Sequence, residues 1–387
     1  MTPIQDQPFY VREQIFQGWA DSRLPPVRAV YRALTAIFKK TWVTFSPALY
    51  PALGAPLVPV YGTPQDGFKF EFLQIPPGER PELIETDVLI VGSGCGGSVA
   101  AKNLAEAGRK VIVVDKAYSF SNRQFPMKPN EAFNNLFEAS GAITNDEGSM
   151  GVLAGSTWGG GGTVNWSASL QTQGYVRREW ANRGLPFFTS REFQNSLDRV
   201  CDRMGVSTES TNHNKANRMI LEGSRKLGYT AKEVPQNTGG TTHYCGHCTL
   251  GCHTGGKQGP IETFLVDAAN AGATFMEGFN VDRVLFSKKK AGKIASGVIG
   301  TWVSRDAHFG TSGVGAVKRK VIIRAKKVVI SGGTLHSPLL LLRSGIKNSN
   351  IGRNLYLHPG ELTVFSFMAV KTRAYTYLFS CNCPFDL

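Results

Sequence analysis

Glycines 92, 94 and 97 in the run Gly92-Ser93-Gly94-Cys95-Gly96-Gly97 have the G-x-G-x-x-G spacing, whose chemistry is the holding of a dinucleotide's pyrophosphate. Gly92 permits a tight turn, Gly94 lets main chain approach the phosphates, and Gly97 lets a helix lie close on a strand. A helix start at Gly97 presents free amide donors and the positive end of its dipole to the same anion. Asp115 stands at the end of the next apolar run, where a carboxylate accepts hydrogen bonds from a ribose diol, and Lys116, which follows it, is a further cofactor-binding candidate.

Two further glycine groups have no place in a plain nicotinamide fold. Gly159, Gly160, Gly161 and Gly162 precede Thr163-Val164-Asn165 and create a bare main-chain surface that a flat ring system can approach, which favours flavin. Read alone, such a run is also a flexible loop. Gly332 and Gly333 end the run Lys327 to Ser331 ahead of an apolar helix and can bring more main-chain amides to the same cofactor. His243, Cys245, His247, Cys248, Cys252 and His253 offer thiolate and imidazole, the ligands zinc prefers. Their spacing matches neither two separated ligand pairs nor a ferredoxin run, so at the level of the residues a zinc site and a structural turn both stay open.

These residues need elements to position them. Val88 to Val91, the glycine turn, a helix over Val99 to Ala107 stopped by Gly108, and the strand Lys110 to Asp115 form one βαβ unit across residues 86 to 115. Thr189 and Glu192 have capping-box spacing ahead of one helix, and a second is expected from Asn214 to Leu227. From Val281 to Ile330 the runs VDRVLF, GVIGTWV, KVIIRA and KKVVIS read as separate strands with hairpin-like connections. Before the βαβ unit, Gln14 to Phe45 mixes apolar residues at helical spacing with Arg23, Arg28, Arg32, Lys39 and Lys40. Such a helix either packs on its own protein or lies on a membrane surface. Prolines at 47, 51, 56, 59 and 64 make residues 46 to 80 an irregular linker.

A chain of 387 residues with 42% hydrophobic and 19% charged residues is globular, not disordered. Its formal charge of +14 favours anionic partners without choosing among them. Twelve Lys or Arg lie between Arg283 and Lys327, yet they are expected at strand ends and loop tips without a stacking aromatic array, so no nucleic-acid role is expected. Seven cysteines, three of them within eight residues, do not read as a secreted disulfide framework, and an intracellular location is expected. The amino terminus has no signal-peptide pattern, no window supplies a transmembrane run, and the carboxyl end is not a Ser-Lys-Leu-like tripeptide.

Taken together, the dinucleotide fingerprint, the Trp158 to Asn165 segment, the Gly333 to Ile346 segment and the Gly352-Arg353-Asn354-Leu355 run resemble, in order, the glucose–methanol–choline (GMC) family of FAD-dependent oxidoreductases. The runs TDVLIVGSGCGGSVAAKNLAEAG, GSTWGGGGTVNWSASL and CGHCTLGC resemble its long-chain fatty alcohol oxidases, and the last of these likenesses implies a structural turn near the FAD over residues 243–253, with no metal expected there. The resemblance implies an α/β, Rossmann-like FAD-binding domain with a helical amino-terminal extension and an incomplete substrate domain. The expected divisions are amphipathic helices and linker over 1–80, the FAD-binding domain with inserted substrate-lobe segments over 86–360, and a divergent tail over 361–387. By this resemblance Gly92, Ser93, Gly94 and Gly97 contact the FAD pyrophosphate and Asp115 the adenosine ribose. Gly159, Gly160 and Asn165 line the flavin, and the Val281 backbone meets the adenine.

The implied reaction is oxidation of long-chain primary alcohols to aldehydes, with oxygen reduced to hydrogen peroxide. The family's proton-accepting histidine is expected beyond the chain end, so no catalytic residue is named, and a catalytically incomplete FAD-domain fragment or another GMC alcohol dehydrogenase stays open as an alternative. His336 and His358, near prolines, read as capping or packing groups.

Overall fold

The computed structural model describes residues 3–52, 58, 62–147, 150–243, 247–289, 292–311, 313–357, 365–369 and 372–376. The principal helices are α1 Phe9–Ala20, α2 Pro25–Phe45, α3 Cys95–Glu106, α4 Pro129–Leu136 and α5 Gly161–Val164, followed by α6 Gly174–Asn182, α7 Arg191–Met204, α8 Lys215–Lys226, α9 Phe264–Asn270 and α10 Gly333–Arg343. The long strands are β1 Glu82–Val91, β2 Val111–Val114, β3 Thr274–Met276, β4 Phe279–Lys289, β5 Gly292–Val303 and β6 Lys318–Ile330. Residues 1–58 and 128–154 form one unit, and residues 59–127 and 155–387 the other.

In the first unit the amphipathic stretch is two helices, broken at residues 21–24, with Pro25 and Pro26 setting the first turn of α2. Phe16 of α1 packs against Tyr31 and Phe38 of α2, with ring centroids 6.3 and 6.4 Å apart. In the proline-rich stretch, Leu49–Ala52 makes one helical turn and Phe72 bridges Phe275, while residues 53–57 and 59–61 lie outside the described residues.

The second unit is built on one mixed sheet of order β3-β2-β1-β6-β5-β4. Strands β3, β2, β1 and β6 are parallel, and β5 and β4 continue from β6 as an antiparallel meander. Alternate residues of the central strands feed two apolar layers. Val88, Ile90, Val111 and Val113 pack with Ala101, Ala105, Leu265 and Ala268, whereas Leu89, Ile112 and Val114 pack with Met276, Phe279, Val281, Trp302 and Leu340. Strands covered on both faces need apolar residues at consecutive positions, which is why Val111–Val114 is fully buried. Each such side chain contributes about 1.5–3 kcal/mol.

Three boundaries differ from the sequence expectation. Helix α3 starts at Cys95, with Gly94 as its cap, so Gly97 lies inside the first turn. The cap of α7 is Ser190, whose hydroxyl accepts from the Phe193 N–H at 3.2 Å, because Thr189 instead turns its hydroxyl to the Pro186 carbonyl. The runs KVIIRA and KKVVIS are one continuous strand: β6 pairs with β1 from Val321 to Ile330, and this pairing carries it straight through the charged residues between. Its cations therefore stand within a strand and not only at loop tips. Arg319 is buried there and donates to the carbonyl oxygens of Pro76 and of Arg80. Of the tail, residues 365–369 and 372–376 form an antiparallel pair and the rest lies outside the described residues.

The segment after β2 is tied back by a half-buried carboxyl. Asn122 Nδ2 donates to Glu262 Oε1 at 2.8 Å, and burial pushes the Glu262 carboxyl above its ordinary value despite that bond. The folded chain thus holds this proton more tightly than the unfolded chain. The resulting penalty is absent below the ordinary carboxylate pKa of about 4.3, grows as pH rises towards the raised folded value, and is constant above it. Glu262→Gln, which keeps the acceptor, is expected to match the native melting temperature at about pH 4 and exceed it at about pH 8. Equal melting temperatures at both values would contradict this. A Cβ at Gly97 would collide with the Gly92 carbonyl oxygen. Gly97→Ala is therefore expected to cost about 1–3 kcal/mol or more in urea unfolding, read as a lower midpoint.

Candidate functional site

The site begins where β1 and β6 end side by side. Val91 pairs with Ile330, and the Ser331 N–H donates to the Val91 carbonyl at 2.7 Å. Gly92 then turns with φ +106°, and a Cβ there would stand 2.6 Å from the Ser331 carbonyl carbon and 2.9 Å from the Gly332 nitrogen. Only a residue without a side chain fits between the two strand ends. Gly333, also at positive φ, opens α10.

The second glycine group reaches the same turn. Gly160 has φ 58° and ψ −145°, a conformation essentially restricted to glycine, and a Cβ on it would lie 3.0 Å from Gly94 Cα. The fully buried Ser93 fastens the two segments: its hydroxyl accepts from the Gly159 N–H at 2.9 Å and donates to Asp115 Oδ2 at 2.7 Å. The Ser93 N–H also donates to Oδ2, and the Ala117 N–H to Oδ1. Three donors thus use a carboxylate whose two oxygens offer about four acceptor sites. Lys116, next along the chain, is half-buried. The glycine-rich segment is anchored by Trp158, whose buried ring packs against Phe70, Phe72 and Phe275 at centroid distances of 5.0 to 6.0 Å.

Asn165 ends the segment. Its N–H donates to the Gly161 carbonyl at 2.9 Å, and its buried Oδ1 has no hydrogen-bond partner among the described residues. The Val281 side chain is buried in the core, and its backbone pairs with Gly300 just before a bulge at residue 282. The structure therefore brings Gly92, Ser93, Gly94, Gly97, Asp115, Gly159, Gly160 and Gly332 into one junction, with Asn165 at the end of the segment that forms one side of it.

Cys95 keeps an exposed surface, yet desolvation by the surrounding protein pushes its thiol up, opposed by its own N–H, that of Gly162 and the charge of Lys257. His243, His247, Cys248, Cys252 and His253 are all buried, and Cys245 lies outside the described residues. Ser167 Oγ stands 3.7 Å from Cys248 Sγ and Thr254 Oγ1 3.5 Å from Cys252 Sγ. Among the described residues no three such ligands are grouped to hold a metal ion. Burial opposes charge on His243, but the Cys248 and Cys252 sulfurs outweigh it and raise the imidazole above its usual value. His336 lies half-buried on α10, and His358 is outside the described residues.

Two residues at the junction carry no sequence signal. Lys257, in a glycine-rich polar stretch, reads as an exposed loop lysine but is buried and bonded to the Thr163 and Asn165 carbonyls. Glu262 reads as a surface acid but lines both the small cavity shared by Gly162, Thr163, Cys252 and Lys257 and a larger cleft of about 290 Å³ beside Phe68, Phe120 and the Glu277–Arg305 ion pair. Only the chain path, not local pattern, buries Lys257 and half-buries Glu262.

Comparison with known proteins gives this geometry a setting. A GMC oxidoreductase family model matches residues 133–360, and an FAD binding domain model matches residues 87–124. The chain is 39% identical over 292 residues to long-chain-alcohol oxidase FAO4B of Arabidopsis thaliana, covering 74% of this chain and 38% of that protein. It is 36% identical over 277 residues to long-chain-alcohol oxidase FAO3 of the same plant, covering 71% and 36%. An uncharacterized GMC-type oxidoreductase of Mycobacterium tuberculosis is 26% identical over 298 residues, covering 76% and 44%. The chain thus spans a little over a third of the length of the plant relatives it matches. With its glycine turn inside the FAD-binding match and its glycine-rich segment inside the larger one, this chain belongs to the GMC oxidoreductase family and its cofactor is FAD.

Proposed function

We propose that this chain is the FAD-holding part of a long-chain-alcohol oxidase, which oxidises primary fatty alcohols to aldehydes and reduces oxygen to hydrogen peroxide. The observation that carries the reading is the contact of three separated glycine groups, Gly92 to Gly97, Gly159 to Gly162 and Gly332–Gly333, in one bare-backbone junction. The residues present fit the cofactor. The N-terminus of α3 offers amide donors to a pyrophosphate, Asp115 retains acceptor capacity for a ribose hydroxyl, and Asn165 Oδ1 is a buried acceptor awaiting a donor. Bound there, FAD would supply the acceptor for the carbinol hydride. Gly92, Ser93, Gly94, Gly97 and Lys116 would hold and orient its adenosine diphosphate half, with the Val281 backbone at the adenine. Gly159, Gly160, Asn165, Gly332 and Gly333 would shape the wall against the ring system and exclude water from it. Similarity to the plant enzymes supports the alcohol substrate.

The amino-terminal helices supply a second element of the proposal, peripheral contact with an anionic membrane. Ile37, Phe38 and Trp42 of α2 are exposed, and residues 22–65 contain five Lys or Arg and no acid. Among the described residues no helix is long and apolar enough to cross a membrane. The purified chain is expected to sediment with phosphatidylserine vesicles at low salt and less at high salt, and not with neutral vesicles. Salt-independent or absent sedimentation would contradict this contact.

The cofactor reading is tested by the visible spectrum. The purified chain is expected to carry or take up FAD, and Gly160→Val to weaken that binding about 100-fold, roughly 2.7 kcal/mol, while keeping the far-UV circular dichroism. Anaerobic addition of a C12 to C18 alcohol then separates the oxidase from the catalytically incomplete fragment, bleaching of the bound cofactor being the outcome expected of an oxidase. Bound FAD that stays oxidised would overturn alcohol oxidation by this chain, and failure to bind FAD would overturn the whole reading.

A further inference from the structure

Lys257 is a buried cation, 3% exposed, whose Nζ donates to the carbonyl oxygens of Thr163 at 2.6 Å and Asn165 at 2.9 Å. An ammonium group is strongly hydrated in water, so its burial is costly and persists only where partners offset it. The partners here are main-chain carbonyls of the glycine-rich segment, and among the described residues no carboxylate stands in its hydrogen-bond shell to neutralise the positive charge.

The position of those carbonyls matters. Helix α5 is a single turn of four residues, too short to hold itself by propagation, and it is opened by Gly160. Its first turn is fixed by the packing of Gly162 against Pro260 and Cys95. Its end is fixed by Lys257, with Asn165 held on both sides of its peptide unit: N–H to Gly161, carbonyl to Lys257. The charge also reaches the dinucleotide turn, where it pulls the Cys95 thiol down against the effect of burial.

We propose that Lys257 is a positioning residue for the cofactor, fixing the main chain from Gly160 to Asn165 and placing under it a buried positive charge that favours the more negative, reduced form of the bound group. The proposal rests on the reading that this junction holds FAD. A fixed cation in a low-dielectric site stabilises whichever redox form carries more negative charge, so removing it lowers the reduction potential. A purely structural lysine would have no such effect.

The test compares the native chain with Lys257→Met, Lys257→Gln and Lys257→Arg, each titrated with FAD by flavin fluorescence and equilibrated with a reference dye to obtain the potential of the bound cofactor. Met and Gln are expected to bind FAD at least tenfold more weakly. They are also expected to lose at least tenfold of the preference for the reduced form, about 30 mV for a two-electron couple. Arg is expected to keep both within threefold, and circular dichroism of the unloaded proteins to be unchanged. Met or Gln variants with native affinity and potential would overturn the proposal, and so would an Arg variant as low in potential as Met. If Met and Gln both fail to fold, Lys257 is a general folding residue and the proposal is again overturned. A native chain that binds no FAD would instead bring down the functional reading itself, and this inference with it.

Discussion

Main chain lying against main chain, with no side chain between, is the constraint on which the site rests. Gly92 abuts Ser331 and Gly332, Gly97 the carbonyl of Gly92, Gly160 the Cα of Gly94, and Gly155 the backbone of Gly161 within 2.7 Å of its would-be Cβ. Glycine loses the most conformational freedom on folding, so a junction made of it cannot hold its own shape. Rigidity is imported from the surroundings: the apolar layers on both faces of β1 and β2, the Trp158 cage, and the Ser93 hydroxyl that binds Gly159 on one side and Asp115 on the other.

The local pattern around this junction was open to reading because its geometry leaves a residue-level mark. A tight turn needs Gly92, a close helix needs Gly97, and a strand buried on both faces needs the uninterrupted Val111-Ile112-Val113-Val114. Asn214 before Lys215–Lys226 likewise announced its helix, its side chain accepting from the Asn217 N–H. Pairing over long distances leaves no such mark. Lysines at 326 and 327 made β6 look like two strands, and nothing local reveals that β1 lies beside it and carries the pairing through. Thr189 and Ser190 are both plausible caps, and the choice between them depends on where the preceding Pro186–Thr189 turn directs each hydroxyl.

Buried polar groups were the least legible class. Lys257, Glu262 and Arg319 have ordinary surface-residue types, and Lys257 and Arg319 are buried and Glu262 half-buried because their partners arrive from elsewhere: residues 163 and 165 for Lys257, Asn122 for Glu262, and residues 76 and 80 for Arg319. The same holds for Glu277, which receives the Arg305 guanidinium and the Ser119 N–H. Long polar side chains thus reach across gaps that apolar packing does not span, joining the segments after β2 and β3 to the meander.

The place of β6 in the sheet also governs the order in which the molecule can be assembled. A ribosome releases Val91 about 240 residues before Ile330, the strand end that must stand beside it. Until then β1 has an open flank and the first glycine turn lacks the Ser331 wall. Loop-closure entropy over so long an intervening chain has to be met before the two strands reward each other, which makes their union a late event. A nascent chain therefore holds a half-formed nucleotide turn for most of its synthesis, and the finished pocket comes into being when its last parallel strand slots in beside its first.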